Sequence, residues 1–582
     1  MTTFTPFFRN NFLNMRYIQL SLLFVFLCIS RVPAQENTTS GAESSVAENS
    51  ENRDDKRFEV GKQLDIFNAL VKEVEMFYVD PIEVDKFMQR GINAMLRGLD
   101  PYTVYIAESE DLNFITTGEY GGIGAYITSR NGGTMISGTG PFEKMPAAEA
   151  GLKAGDIILA VDGVDAQNLP SEKVTELLKG IPNSKVSVTI QRPGEKKTQK
   201  FDLVRKRVVV EQVVHYGVYG DKTGYIYLEG FKDKSAQEVK AAFEDLMKNH
   251  QIESLILDLR DNGGGLLESA VQIVNLFVPR GIEVLSSKGK ISQRDRTYRT
   301  YHEPINTEIP LVVLINGNTA SASEIVSGAL QDMDRATLVG QRSFGKGLVQ
   351  TPRNLPYDGK LLVTTEKYYI PSGRCIQQLD YTHRNADGSV DAIPDSLTSV
   401  FYTKNGRPVR DGGGIRPDFE VEESKIPTML YYLQADRNFY LFDYVTDWVY
   451  NHKTIPPPTD FVYSDEDYES FKKYLIEKNF EYDRQSIRAL NSLKEIADFE
   501  GYLEEGATLF AALEEKLSPN LERDLERYKE DIKHLISSSI IERYYYRRGV
   551  MQYSLRDDKT LQKALDILKD KELYYSTLTN NK

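Results

Sequence analysis

The spacing of apolar positions changes several times along the chain, and each change marks a boundary. From Arg57 onward Phe58, Leu64, Ile66, Phe67, Leu70, Val71, Val74 and Phe77 recur at helical spacing, and a second helical stretch runs from Ile82 to Leu99 before the turn Leu99-Asp100-Pro101. These two helices are expected to serve as core and interface elements. Between about Tyr105 and Val204 the pattern becomes short alternating runs set among glycines. Tyr120-Gly121-Gly122-Ile123-Gly124 leads into the strand Ala125-Tyr126-Ile127, and Pro146 to Leu152 reads as a short helix closed by glycine. Asp156 to Gly163 is strand and turn, Ser171 to Leu178 an amphipathic helix, and Lys185 to Gln191 another strand.

From about Val208 to Glu423 strands and helices alternate. Gly224–Leu228, Ser254–Leu259, Leu311–Ile315 and Thr337–Val339 read as strands, and Ser235–Lys248, Leu267–Phe277 and Ser321–Gln331 as helices. Such alternation predicts an α/β core around a buried central sheet, with sites at the strand C-termini. Beyond Glu423, Pro456-Pro457-Pro458 interrupts the chain, and charged stretches with Leu, Ile and Tyr at helical spacing continue to the end.

The N-terminus has a different character. Residues 1–16 hold Arg9 and Arg16 and no acid, and are followed by the apolar run Tyr17 to Ile29 and then Val32-Pro33-Ala34. That is the layout of an export signal, and the run is shorter than the roughly 20 residues a membrane-spanning helix needs. Cleavage after Ala34 and an exported, periplasmic product are expected, with residues 35–56, polar and charged, as a disordered tether. Loss of the signal would remove Cys28 and leave Cys375 alone, without a disulfide. At 582 residues the chain has room for roughly three or four units of about 150 residues. Its 71 Lys and Arg against 85 Asp and Glu give a net charge of −14, which disfavours a nucleic-acid partner. Arg543-Tyr544-Tyr545-Tyr546-Arg547-Arg548 mixes base with aromatic, but on an acidic chain it reads as an amphipathic helix face.

Composition excludes some chemistry outright. The 6 histidines include no His-Glu-x-x-His spacing, so a zinc hydrolase is not indicated and no metal or cofactor is expected. Gly340-Gln-Arg-Ser-Phe-Gly345-Lys346 has the outline of a phosphate loop. However, Gly347 stands where Ser or Thr would hold magnesium, and Leu348-Val349-Gln350 continues as strand rather than helix. Lys346 then needs another explanation. Flanking glycines allow close approach, and a partly buried lysine without a carboxylate neighbour loses its proton more readily. A pKa brought from about 10.4 toward 7–8 would make it a general base. Gln350 is expected on the same strand face.

A base needs a nucleophile. Ser321, in Asn316-Gly-Asn-Thr-Ala-Ser-Ala-Ser-Glu324, follows a buried strand and opens the next helix, where a hydroxyl is presented at the sheet edge beside the helix N-terminus. Ser321 with Glu324 is equally a Ser-x-x-Glu capping box, and capping alone would explain both. A third segment joins these: the strand Leu255 to Leu259 ends in Arg260-Asp-Asn-Gly-Gly-Gly265, whose amides, Gly264 foremost, would form an oxyanion hole together with the Ala322 amide.

Two resemblances add to this reading. The Gly122-Ile-Gly124 loop and the run Ala150 to Gly163 resemble a PDZ domain. That implies capture of a peptide by β-strand addition, its carboxylate held by amides around Gly122, Ile123 and Gly124; without it the glycines mean only a tight turn. Asp258-Leu-Arg-Asp-Asn-Gly-Gly-Gly, Ala320-Ser-Ala-Ser-Glu-Ile, Phe344-Gly-Lys-Gly-Leu-Val-Gln350, Lys367-Tyr-Tyr-Ile-Pro-Ser-Gly-Arg374 and Gly413-Gly-Ile-Arg-Pro-Asp418 resemble, in this order, the carboxyl-terminal processing peptidases, or tail-specific proteases. The likeness spans about residues 57 to 423. It implies a serine endopeptidase acting on C-terminal tails of proteins through a Ser/Lys dyad, with Ser321 attacking, Lys346 taking its proton and Gln350 orienting the amine. Ser323 is the neighbouring alternative nucleophile. Thr319 and Cys375 depart from the common serines without touching that chemistry.

The expected fold class is thus multidomain α/β: an N-terminal helical region (57–104), a PDZ-like β-domain (105–204), an α/β serine peptidase core (205–423) and a C-terminal helical domain (424–582). Expected partners are proteins or peptides with free C-termini. The sequence leaves open homo-oligomer formation, peripheral or signal-anchored membrane association, and whether the PDZ-like domain gates the site.

Overall fold

A computed structural model describes residues 47–106, 117–139, 144–385, 388–422, 426–435 and 438–579. The expected signal, residues 1–34, and residues 35–46 of the expected tether lie outside the described residues. The rest of that tether is helical, because α1 runs Ala47–Phe77. Its composition permits a helix, since it contains no proline. α2 follows at Val84–Arg97 with no buried residue. Phe58, Leu64, Ile66, Leu70 and Phe77 on α1 are all exposed, so these helices are not core elements within one chain. Their apolar period was legible, but a period names a face and not what covers it.

The chain enters the folded body through β1 (Val104–Ile106). The β-domain holds β2 (Tyr126–Arg130), β3 (Gly133–Gly138), β4 (Ile157–Val161), α3 (Ser171–Leu178), β5 (Lys185–Gln191) and β6 (Gln199–Val204), in sheet order β2-β3-β4-β5-β6, with the short strand Val164–Asp165 beside β4. Alternation works as expected in β5, where Val186, Val188 and Ile190 turn into a core with Ile136, Ile158, Val161 and Val174. Among the described residues β2 pairs only with β3, which leaves its other edge open there. α3 lies beside it, with Ser129 Oγ 3.1 Å from Ser171 Oγ.

Next come β7 (Val213–Tyr219), β8 (Thr223–Leu228), α4 (Ser235–His250), β9 (Ser254–Asp258), α5 (Leu267–Val274), β10 (Glu283–Gly289), β11 (Arg296–Arg299), β12 (Leu311–Ile315), α6 (Ala322–Asp332), β13 (Thr337–Gly340), β14 (Leu348–Asn354), β15 (Lys360–Tyr369) and β16 (Phe419–Glu420). The central sheet has order β7-β8-β9-β12-β13-β16 and is parallel except for β7 against β8. Every residue of β9 and β12 is buried, the mark of a sheet covered on both faces. A second sheet, which the sequence did not separate from the first, runs β1-β15-β10-β11 with β14 also on β15.

The C-terminal region contributes α7 (Tyr440–Asn451), α8 (Lys529–Ser554), α9 (Lys559–Lys569) and α10 (Lys571–Thr579) among its helices. On one face of the central sheet α4, α5 and α6 pack over Leu228, Leu257, Val313 and Ile315. On the other, Leu561, Ala564 and Ile567 of α9 and Tyr574 and Leu578 of α10 cover Tyr225, Ile256, Val312 and Leu314. The basic and aromatic cluster on α8 proves to be a joint. The helix kinks at Tyr546 (φ 56°), Arg543 Nη1 donates to Ser137 O in β3 at 2.7 Å, and Arg547 pairs with Glu229 after β8. Among the described residues no helix is long and apolar enough to cross a membrane.

Candidate active site

Ser321 sits between the C-terminal end of β12 and the start of α6, at φ 62° and ψ −116°. Such a conformation persists for a side chain larger than glycine only where its surroundings impose it. Here the Ser321 N–H donates to Glu324 Oε2 at 2.8 Å, the Tyr368 hydroxyl donates to Ser321 O at 3.3 Å, and the neighbouring Ala320 N–H donates to Asn262 O at 3.0 Å. The Ser321 hydroxyl is buried and has no hydrogen-bond partner. Ser321 and Glu324 form the capping box at the head of α6, with Glu324 holding the Ser321 backbone, while the serine hydroxyl itself makes no full hydrogen bond. Ser323, the alternative, has its hydroxyl engaged with Asn262 O at 2.9 Å.

Glu324 does more than cap. Its Oε1 accepts from Ser343 Oγ at 2.5 Å and Gly345 N at 2.7 Å, and its Oε2 accepts from Lys346 N at 2.9 Å as well as from Ser321 N. Burial raises the pKa of this carboxyl and the four hydrogen bonds oppose the rise. One side chain thus ties the serine turn to the lysine loop. Tyr368 on β15 makes a second tie, its hydroxyl reaching Lys346 O at 2.9 Å and Ser321 O at 3.3 Å. Sequence reasoning missed both roles. A signal was present, because an acid on a helix whose every residue is buried requires partners.

Lys346 is 2% exposed, and its Nζ lies 4.3 Å from the centroid of the Tyr102 ring. Burial lowers its pKa to about 8, while the charges of Asp100 and Glu324 pull the other way. The expectation of no carboxylate nearby is corrected: two act on the amine, and desolvation outweighs them. Gln350 is also buried. Its Nε2 donates to Thr364 Oγ1 at 3.0 Å and its Oε1 has no partner. Simple alternation from Lys346 to Gln350 does not hold, since β14 begins only at Leu348 and carries a bulge between Val349 and Gln350. The lysine loop runs into the strand β14 at Leu348, as the sequence predicted.

Gly264 adopts φ 98° and abuts the turn so closely that an added Cβ would meet Ser321 Cβ at 2.7 Å and Ala322 N at 2.9 Å. Its own N–H, however, donates to Asn262 Oδ1 at 2.9 Å, so in this conformation it is not an open oxyanion donor. Ala322 N–H, in the first turn of α6, belongs to the helix donors that lack an intrahelical acceptor. In the β-domain, Gly122 ends a short strand paired with Lys206, Ile123 turns its side chain into the core, and Gly124 (φ 67°) leads to the open edge of β2. These residues belong to that domain's own fold and are not part of the Ser321 cluster. Burial raises the pKa of the Cys375 thiol, which keeps it protonated and unreactive. Among the described residues no group of three or more His, Cys, Asp or Glu is arranged to hold a metal ion.

Three family models match successive stretches of the chain. Residues 142–192 match a PDZ domain, 222–383 match Peptidase family S41, and 429–568 match the C-terminal helical domain of a probable PDZ-protease. A carboxy-terminal-processing protease of Bartonella bacilliformis is 36% identical over 326 residues, 55% of this chain and 74% of that one. The chain belongs to the carboxy-terminal-processing protease family. A carboxyl-terminal-processing protease of Synechocystis sp. is likewise 36% identical, over 52% of this chain and 72% of its own. Among solved structures, a photosystem II D1 C-terminal processing protease is 28% identical, covering 62% of this chain and 88% of that one with a TM-score of 0.32. As a carboxy-terminal-processing protease the chain is a serine-type peptidase with peptide or protein substrates. The helical region whose role the sequence left open has a family match of its own.

Proposed function

We propose that this chain is an exported serine endopeptidase that recognises C-terminal tails of proteins and cleaves them with Ser321 as nucleophile and Lys346 as general base. The observation that carries the reading is a buried hydroxyl without a hydrogen-bond partner, on a backbone turn held at φ 62°, tied through Glu324 to an amine whose pKa burial lowers to about 8.

In the reaction, neutral Lys346 Nζ takes the Ser321 proton as Oγ attacks the scissile carbonyl. The Ala322 N–H receives the developing oxyanion, and the ammonium then protonates the departing amine. Water, activated by the same amine, releases the acyl group. Gln350 Oε1, buried and without a partner, is a ready acceptor for one N–H of the amine once it turns toward Ser321. Gly264 joins the oxyanion hole only if Asn262 Oδ1 releases its N–H. A substrate tail adds as a strand to the open edge of β2, with its carboxylate at Gly122, Ile123 and Gly124. In this reading the working units are residues 57–104, 105–204, 205–423 and 424–582, and export rests on the layout of residues 1–34.

The test is incubation of wild type, Ser321→Ala and Lys346→Ala with denatured protein substrates bearing free or blocked C-termini. Loss of cleavage in both variants, with tail binding retained by Ser321→Ala and free termini preferred by wild type, is the expected result. Cleavage by either variant would assign the chemistry elsewhere.

A further inference from the structure

The segment joining α2 to β1 is more tightly built than a linker requires. Asp100, Tyr102 and Thr103 are all buried. Asp100 Oδ1 accepts the N–H groups of Tyr102 at 2.8 Å and Thr103 at 2.7 Å, and its Oδ2 accepts the Thr103 hydroxyl at 3.0 Å, fixing the turn after Pro101. Thr103 Oγ1 in turn accepts from Thr364 N at 3.2 Å, and β1 pairs with β15 in the register Val104↔Leu362. Thr364 is the residue that receives Gln350 Nε2, so the segment is stapled to the strand beside the candidate site. At its centre Tyr102 presents its ring to Lys346 Nζ, 4.3 Å from the centroid, and is braced on another side by Tyr381, edge-on at 6.2 Å.

A ring face attracts the ammonium and not the neutral amine. Deprotonating serine requires the neutral amine, beside Oγ. In this structure Ser321 Oγ has no hydrogen-bond partner, so the amine stands over the ring and not on the hydroxyl. The charged and titratable groups acting on the amine are Asp100 and Tyr102 from the N-terminal segment and Glu324 from α6, while Tyr368 from β15 bonds the Lys346 carbonyl. Both carboxylates are engaged with donors of their own, Asp100 with three and Glu324 with four. The Tyr102 phenol, its pKa raised chiefly by burial, stays neutral and does not compete as a base.

Building on the Ser321 and Lys346 assignment, we propose that Tyr102 is a positioning residue of the site, whose ring holds the charged Lys346 amine away from Ser321 until the N-terminal segment shifts. The segment is well placed to be moved. α2 ends at Arg97, just before Asp100, so displacement of α1 and α2 acts through the backbone on the turn that carries Tyr102, restrained there by the exposed bonds from Arg384 Nη2 to Arg97 O at 3.3 Å and Leu99 O at 3.0 Å.

The experiment is the pH dependence of kcat/KM for cleavage of a tail-bearing protein by the full chain, comparing wild type with Tyr102→Phe, Tyr102→Leu and graded ring fluorination of phenylalanine at position 102. Phe keeps the ring face and leaves the acid limb where wild type has it. Leu removes the face, moves the limb down by about one pH unit and makes cleavage on that limb about tenfold faster. Fluorination moves the limb down stepwise at nearly constant volume, and decides the matter should Tyr102→Leu not fold. A limb unmoved by fluorination, or moved equally by Phe and Leu, overturns the proposal. Lys346→Ala, run in parallel, separates the two readings: if it retains activity the dyad itself is wrong, and if it is inactive while the limb stays fixed, only the role of Tyr102 is lost.

Discussion

The main-chain N–H of Ser321 and that of Lys346 end on the same oxygen of Glu324, at 2.8 and 2.9 Å. Two loops that the sequence places on different strands are thus held at one separation by one carboxylate. Glu324→Gln keeps the shape but exchanges an acceptor oxygen for an NH2 group facing donors, so at least one pair of buried N–H or O–H groups loses its partner. The expected loss of folding stability is on the order of 3 kcal/mol, read as a lower urea midpoint at unchanged slope. Because Glu324 is fully buried and engaged within the fold, kcat should fall far more than KM rises. An unchanged midpoint would show that the hub is dispensable.

Lys346 predicts two separate pH effects of known sign. As the base it must be neutral, so kcat/KM should climb about tenfold per pH unit up to about 8 and then level. For stability, its pKa falls from 10.5 to about 8 on folding, so between those values the unfolded chain binds more protons and stability rises with pH. Lys346→Met removes the buried charge. It should stabilise the fold at pH 7 by up to about 3 kcal/mol, with the gain shrinking as pH rises from 8 toward 10.5. A gain that is flat with pH would mean the amine is not desolvated as described.

Gly264→Ala tests the packing of the oxyanion segment against the serine turn. At φ 98° the new methyl would meet Ser321 Cβ at 2.7 Å and Ala320 O at 2.8 Å, both in rigid surroundings. Backbone strain and overlap together predict a loss of about 2–4 kcal/mol and cleavage at the limit of detection. Gly281→Ala is the matched control, with a similar positive φ of 85° but nothing within 4 Å of the added carbon. It should lose only about 1 kcal/mol and keep its activity.

The settings of Ser321 and Lys346, the proposed dyad, were legible in the sequence because their signals are local: a buried strand running into a helix, and a lysine between glycines. The central sheet was legible for a related reason, since β12 is an uninterrupted apolar run and β9 has Leu-Ile-Leu at its centre, a pattern that a doubly covered sheet explains. What escaped notice depends on contacts distant in sequence. Nothing near Thr103 announces that it will meet Thr364, nor does α9 state that it covers Val312 on the far face of the sheet. Glu324 was misjudged differently: its local role as a cap is real, and it concealed a longer-range one with Gly345 and Lys346. The exposed row on α1 marks the limit of periodicity, which predicted the helix correctly and its burial wrongly.

Arg130, at the end of the open-edged strand β2, grips Asp443 on α7 through two hydrogen bonds of 2.6 Å. With Arg543 on Ser137 O, this holds the β-domain against the C-terminal helices. The ion pair is partly solvated, with side chains 23% and 33% exposed, so Asp443→Ala should cost less than about 1 kcal/mol of global stability. Its effect should instead be local. Amide exchange in β2 and β3 is expected to accelerate about fivefold, a change that sub-global opening permits without global unfolding. Arg543→Ala should act in the same direction, and the double variant should exceed either alone. If the clamp holds the domain in a pose that limits tail entry, the same variants lower KM for tail-bearing substrates and leave kcat unchanged. Faster exchange with an unaltered KM would make the clamp a structural joint without influence on substrate capture.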